Sequence, residues 1–179
     1  MTTTETITTE TIAIGERADL LETLVNHRHF LRVPVQGIND EQAAQRTTAS
    51  ELCLGGLIKH VADVESKWVD FILGGPDAMT HGSGEWDTEG WPAQFQMLPG
   101  ETLTRVLEHY EQVARRTDEL VATLPDLDVS QPLPEAPWFE PGARWSARRV
   151  LLHIIAETAQ HAGHADIIRE SLDGAKSMG

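Results

Sequence analysis

Residues 151–170 read LLHIIAETAQHAGHADIIRE. Around them Val150, Leu151, Ile154, Ala165, Ile168 and Leu172 recur at three- and four-residue spacing, the period of a helix with one buried face. His153, Glu157, His161 and His164 interleave with that stripe. At about 100° per residue, all four fall within a sector about 80° wide. Ionisable groups beside a core-facing stripe are costly to bury without a partner, and a bound cation is the simplest one. The stretch predicts a long helix that carries ligands toward the interior of a helical domain.

Ser146 is the N-cap expected for this helix, which runs to about Leu172 and stops at Asp173-Gly174. Before it, Pro125 to Arg144 holds five of the nine prolines, the composition of a stiff, irregular crossover, with Trp138 and Phe139 exposed or docked on the helices. A third helix is expected from Pro99-Gly100-Glu101 to Leu124, with Leu103, Val106, Tyr110, Val113, Leu120 and Val121 on its apolar face. Gly74 to Gly100 is a long connection that includes Trp86, Trp91 and Phe95, and its aromatic residues suit a lid or pocket wall.

The second helix is expected over Ala49–Leu73, opened by a capping box at Thr48-Ala49-Ser50-Glu51. Leu57, Val61, Val64, Trp68 and Phe71 mark its buried stripe, and His60 joins it. Gly55-Gly56 weakens this helix by about 1 kcal/mol per residue relative to Ala, which a close contact or ligand access would explain. Asn39 to Gln42 opens a short helical turn. The first helix spans Glu16 to about Val33, ended by Pro34 and Gly37. Its His27 and His29 read as surface residues, as does His109 on the third helix. Residues 1–14 are rich in Thr and Glu without a sustained period and read as a poorly ordered tail. No strand alternation and no internal repeat stand out. The expectation is one all-α domain over residues 15–174, a four-helix bundle with long loops between helices 2–3 and 3–4.

Composition narrows the function. The 179 residues carry a formal net charge of −14, with 40% hydrophobic and 23% charged residues. An acidic chain without clustered Lys and Arg is unsuited to nucleic acid or to an anionic membrane surface. Cys53 is the single cysteine, so neither an intramolecular disulfide nor a cysteine-based zinc site forms. The N-terminus shows no secretory signal, and a cytoplasmic location is expected. Aromatic residues on the long loops fit either a pocket wall or a homodimer contact.

Bundles build metal sites from side chains on facing helices. Glu157 and His161 lie four residues apart and reach toward one point, and His60 supplies a third ligand from the second helix. Two His and one Glu form an established catalytic zinc set with a position open for water or substrate. Nickel, manganese and iron also suit these ligand types. Taken singly, His60 reads as a hydrogen-bonded core histidine and Glu157/His161 as a pair on a solvated face. His164 is placed beside the metal in a catalytic or pocket role, His153 in a structural one. Asp166 and Arg169 are read as surface or helix–helix pairs.

Two runs, ETAQHAGHADIIRE in the fourth helix and ELCLGGLIKHVADVESKW in the second, resemble the signatures of the DinB-like superfamily. HRHFLRVPVQGINDEQ extends the likeness through the first helix and its exit. The chain is most similar to the actinobacterial branch of mycothiol-dependent S-transferases and maleylpyruvate isomerase-like proteins. That resemblance implies an up-down-down-up bundle and a divalent metal, zinc above all, on the positions of His60, Glu157 and His161. Many relatives carry His where Glu157 stands, whereas the mycothiol-dependent maleylpyruvate isomerase is similar to this chain in using Glu. It implies mycothiol as cosubstrate and an electrophilic small molecule as acceptor, in detoxification. A metal-dependent hydrolase, a thiol-dependent isomerase and a non-enzymatic stress-response metal-binding protein are the alternatives.

Overall fold

Leu20, Leu24, Arg28 and Leu31 share the buried face of α1 (Glu16–Arg32), so a guanidinium replaces an apolar side chain midway along it. The same interruption recurs in α3 (Leu54–Gly74), where Glu65 sits between Val61 and Trp68. It recurs as Thr117 in α6 (Leu103–Thr123) and as Thr158 in α7 (Ala147–Asp173). These are the long helices of a computed structural model that describes residues 15–79 and 91–177. The N-terminal tail and Trp86 lie outside the described residues, as does the side chain of Trp91. Short helices α2 (Asp40–Ala44), α4 (Pro76–Met79) and α5 (Trp91–Gln94) occupy the connections.

Side-chain contacts fix the helix directions. Arg148, at the start of α7, pairs with Glu16 at the start of α1. Near the other end of α7, Arg169 donates to the carbonyls of Pro34 at 2.7 Å and Gln36 at 2.8 Å, just past α1. Helices α1 and α7 are therefore parallel. So are α3 and α6, linked by Lys59–Glu101 at 2.8 Å and Asp70–Arg116 at 2.5 Å. Arg17, in the first turn of α1, donates to the Leu124 carbonyl at the end of α6 at 2.5 Å, which makes that pair antiparallel. Trp68 against His153 and His60 against His161 make α3 and α7 antiparallel. The order is up-down-down-up, as the resemblance implied.

The core has two apolar halves. One gathers Leu20, Leu24, Phe71, Val121 and Ile154; the other gathers Leu31, Leu57, Ile58, Tyr110 and Ala165. Between them lies the layer of interruptions. Arg28 and Glu65 are 3% and 0% exposed, so neither has solvent to neutralise it. Arg28 pairs with both Glu65 oxygens and, through Nη1, with Asp118 Oδ1 at 2.7 Å. Three helices are thereby fixed at one height.

Three local expectations need correction. The second long helix begins at Leu54 rather than Ala49. Thr48 Oγ1 accepts from Ser50 N and Ser50 Oγ from Leu52 N, so these hydroxyls hold turns instead of a helix start. A capping box does form, at Asn39 and Gln42 of α2. The third long helix starts at Leu103 with Thr102 as its cap, because Glu101 is engaged by Lys59 and by the Leu98 N–H. The crossover also contains a two-stranded antiparallel ladder, β1 (Ser130–Pro132) and β2 (Arg144–Ser146). Strands this short show no alternation, and Pro132 masks the signal further. Ser146 caps α7, which ends at Gly174 in the left-handed conformation (φ 81°).

Removing the Arg28 guanidinium leaves Glu65 buried and unpaired. Arg28→Ala is expected to lower the unfolding free energy by about 3–5 kcal/mol in urea titrations, and Glu65→Leu added to it should recover part of that loss.

Candidate metal centre

Helix α3 brings His60 to face α7, where Glu157 and His161 stand one turn apart. One candidate ligand atom from each of the three residues lies within 4.8 Å of the others. His161 Nε2 is 3.6 Å from Glu157 Oε2, and His153 Nε2 is 3.9 Å from Glu157 Oε1. The His60 and His161 rings meet edge to face at 4.9 Å. His161 is buried and Glu157 half-buried.

Burial, with the neighbouring His161 ring, pushes the His60 imidazole down to about 4. Burial also lowers His153. The adjacent His161 imidazole holds the Glu157 carboxyl below its ordinary value against the opposing effect of burial. At neutral pH the group is thus a neutral His60 beside an ionised carboxylate, the protonation states that metal ligation requires.

Among the described residues, Nδ1 of His60 is enclosed without a hydrogen-bond partner. An enclosed imidazole nitrogen needs an explanation, and a coordinated ion supplies one. The donor set, two imidazoles and one carboxylate, fits a divalent ion of the zinc type.

The cover of the site explains the paired glycines. A Cβ at Gly56 would lie 1.9 Å from the Phe95 carbonyl oxygen, and one at Gly55 would lie 2.5 Å from the Met97 sulfur. At Gly56 the clash is with backbone, so only glycine there lets this segment rest on the first turn of α3; at Gly55 it is with the flexible end of Met97. Lys59 Nζ then clamps it, donating to the carbonyls of Ala93 and Gln96 at 3.4 and 3.3 Å. Phe95 is thereby held 4.2 Å from the His60 ring, with the Gln94 side chain within hydrogen-bonding reach of it.

Beside the three residues opens a cavity of about 440 Å³. Trp68 and Trp145 stack at 4.8 Å on its wall, and Phe139 packs on Trp145 at 5.7 Å. His153, expected as scaffold, lines the cavity against the side of the tryptophan stack, meeting Trp68 at 5.0 Å and Trp145 at 5.2 Å. His164 does not line it; its Nδ1 lies 3.3 Å from His161 Nδ1 on the far side of that ring from Glu157. His109 is exposed and His29 likewise, while His27 is half-buried. Arg169 pairs with Asp173 at 2.9 Å, and Asp166 accepts from Ser177 N.

Sequence reasoning missed Arg28 and Glu65, although both sit in register with their helices' apolar stripes. It also missed Lys67, seven residues after His60 on the same face.

A family model described as mycothiol-S-transferase matches residues 19–174. No curated protein matches the chain. Among solved structures, a crystal structure of a conserved protein of locus from Enterococcus faecalis is similar, with a TM-score of 0.67 and 12% identity over 91% of this chain and 100% of that one. At that identity the likeness is one of fold.

Gly56→Ala should push the Phe95 segment off α3 at a cost of about 1–3 kcal/mol, seen as a lower urea midpoint and faster proteolysis within residues 91–97. For metal-free protein, the lowered His60 pKa means that the unfolded chain takes up a proton the folded chain refuses. Its stabilising effect is full above pH 6.5 and lost as pH falls toward about 4. The wild-type stability profile minus that of His60→Gln should therefore slope only in that window.

Proposed function

Because the chain belongs to the mycothiol-S-transferase family, a DinB-like one, we propose that it is a divalent-metal-dependent S-transferase joining mycothiol to electrophilic small molecules in detoxification. The observation that carries the metal dependence is the convergence of His60, Glu157 and His161 around one point. These three would hold the ion, with zinc favoured by the donor set.

Such an ion, when bound, would lower the proton affinity of a coordinating thiol, so that thiolate is available near neutral pH. The chain's own residues do the rest. Glu157 stays ionised and adds the negative charge that an all-imidazole set lacks. His164 Nδ1 meets the His161 nitrogen turned away from Glu157, so His164 would act as a positioning residue for a ligand whose Nε2 faces Glu157. The aromatic wall keeps water from the electrophile, which favours sulfur over hydroxide as the attacking atom. The new bond joins sulfur to the electrophilic carbon. The leaving group departs with its bonding electron pair, and the thiol proton passes to solvent.

Zinc-loaded protein given mycothiol and a chromogenic aryl electrophile is expected to yield a conjugate identified by its mass. Chelation or His60→Ala should return the rate to background. No turnover above background by the loaded protein would overturn the transferase reading. A product without sulfur, formed with the thiol unconsumed, would assign the same residues to isomerase or hydrolase chemistry. His164→Ala is expected to weaken metal binding about 10–100-fold, read by competition with a chelating dye.

A further inference from the structure

His60, Val64 and Lys67 lie at i, i+4 and i+7 on α3, so all three face the cavity from one stripe. Seven residues of helix separate the candidate metal ligand from the ammonium-bearing residue by about 10 Å along the axis. Lys67 is the one lysine or arginine among the described residues lining the cavity. It makes no ion pair among the described residues, although neighbouring carboxylates are available on its own helix. Asp63, four residues before it, is its electrostatic neighbour without forming an ion pair with it, and Asp70 is taken by Arg116 at 2.5 Å. From α7 the lining charge is Glu157, at the His60 end, while the Arg149 guanidinium lies over the Trp145 ring at 4.4 Å without lining the cavity.

The cavity is thus polarised, with a cation at one end and a carboxylate at the other. Its middle is flat and aromatic, built by the Trp68–Trp145 stack. A volume of about 440 Å³ suits a one- or two-ring ligand. We propose that this cavity seats a planar aromatic electrophile bearing an acidic group, its anion paired with Lys67 and its reactive carbon turned toward His60 and Glu157. The proposal rests on the transferase reading for the word electrophile and on the cavity alone for the rest. A chain with a net charge of −14 repels anions in general, so a local cation in an apolar seat is what would admit one.

Isothermal titration with 2-naphthoate and with the neutral 2-naphthamide tests this, before and after chelation of metal. Wild-type protein should bind the acid about five- to tenfold tighter than the amide. Lys67→Gln should bind both equally and keep the wild-type affinity for the amide. Equal affinities in wild type, no binding of either compound, or a preference that survives Lys67→Gln would overturn the proposal. A preference that disappears on chelation would assign the carboxylate to the metal, with the same consequence. Neither compound has a leaving group, so the titration reads the cavity whether or not thiol transfer occurs. Binding as described in a protein that never forms a conjugate would leave this inference standing and remove the transferase reading.

Discussion

The ion pair between Arg28 and Glu65 is the contact on which the geometry of this bundle turns. Two opposite charges without solvent tolerate little displacement, because separating them leaves each uncompensated in a low-dielectric interior. Apolar stripes alone allow neighbouring helices to slide by a turn with modest loss. The pair removes that freedom by tying α1 to α3, and Asp118 extends the restraint to α6. Glu65 lies little more than a turn from His60, and Thr158, in the same layer, adjoins Glu157. The height of the polar layer therefore sets the height at which side chains of α3 and α7 meet.

That meeting is asymmetric. One imidazole comes from α3; a carboxylate and a second imidazole come from α7. A position one turn off on either helix would carry its ligand atom about 5 Å along the axis, away from the point on which the other two converge. The segment around Phe95 closes the remaining side. Its approach depends on the missing Cβ of Gly56, so a helix-weakening glycine is the condition for a covered site.

Much of this was legible in the sequence because it rests on helical period. The four long helices follow from three- and four-residue spacing, and the spacing of Glu157 and His161 places them on one face. His60 was legible for the same reason. The Arg28–Glu65 layer escaped because a charged residue in an apolar register normally marks the edge of a stripe, and the partners are 37 residues apart. The start of α3 escaped because Thr48 and Ser50 satisfy backbone donors equally well in turns or in a cap. The cavity role of His153 was hidden because its neighbour Trp145 arrives through β2, whose strand pairing leaves no local signature. Gly55-Gly56 was readable as an anomaly, but the backbone that it accommodates lies about 40 residues downstream and is joined to it only by tertiary contact.

The stacked indoles of Trp68 and Trp145 join two kinds of scaffold. Trp68 belongs to a bundle helix pinned by the buried ion pair; Trp145 and Phe139 belong to the proline-rich crossover, tied down by a two-stranded ladder. The candidate ligands thus sit on rigid helices, while a large part of the cavity wall hangs on connecting chain. Loops absorb insertions and exchanges that helices cannot. The candidate ligands and the cavity wall are therefore separable by descent: one crossover can replace another without disturbing His60, Glu157 or His161, so the shape of the cavity can change while the ligand set stays.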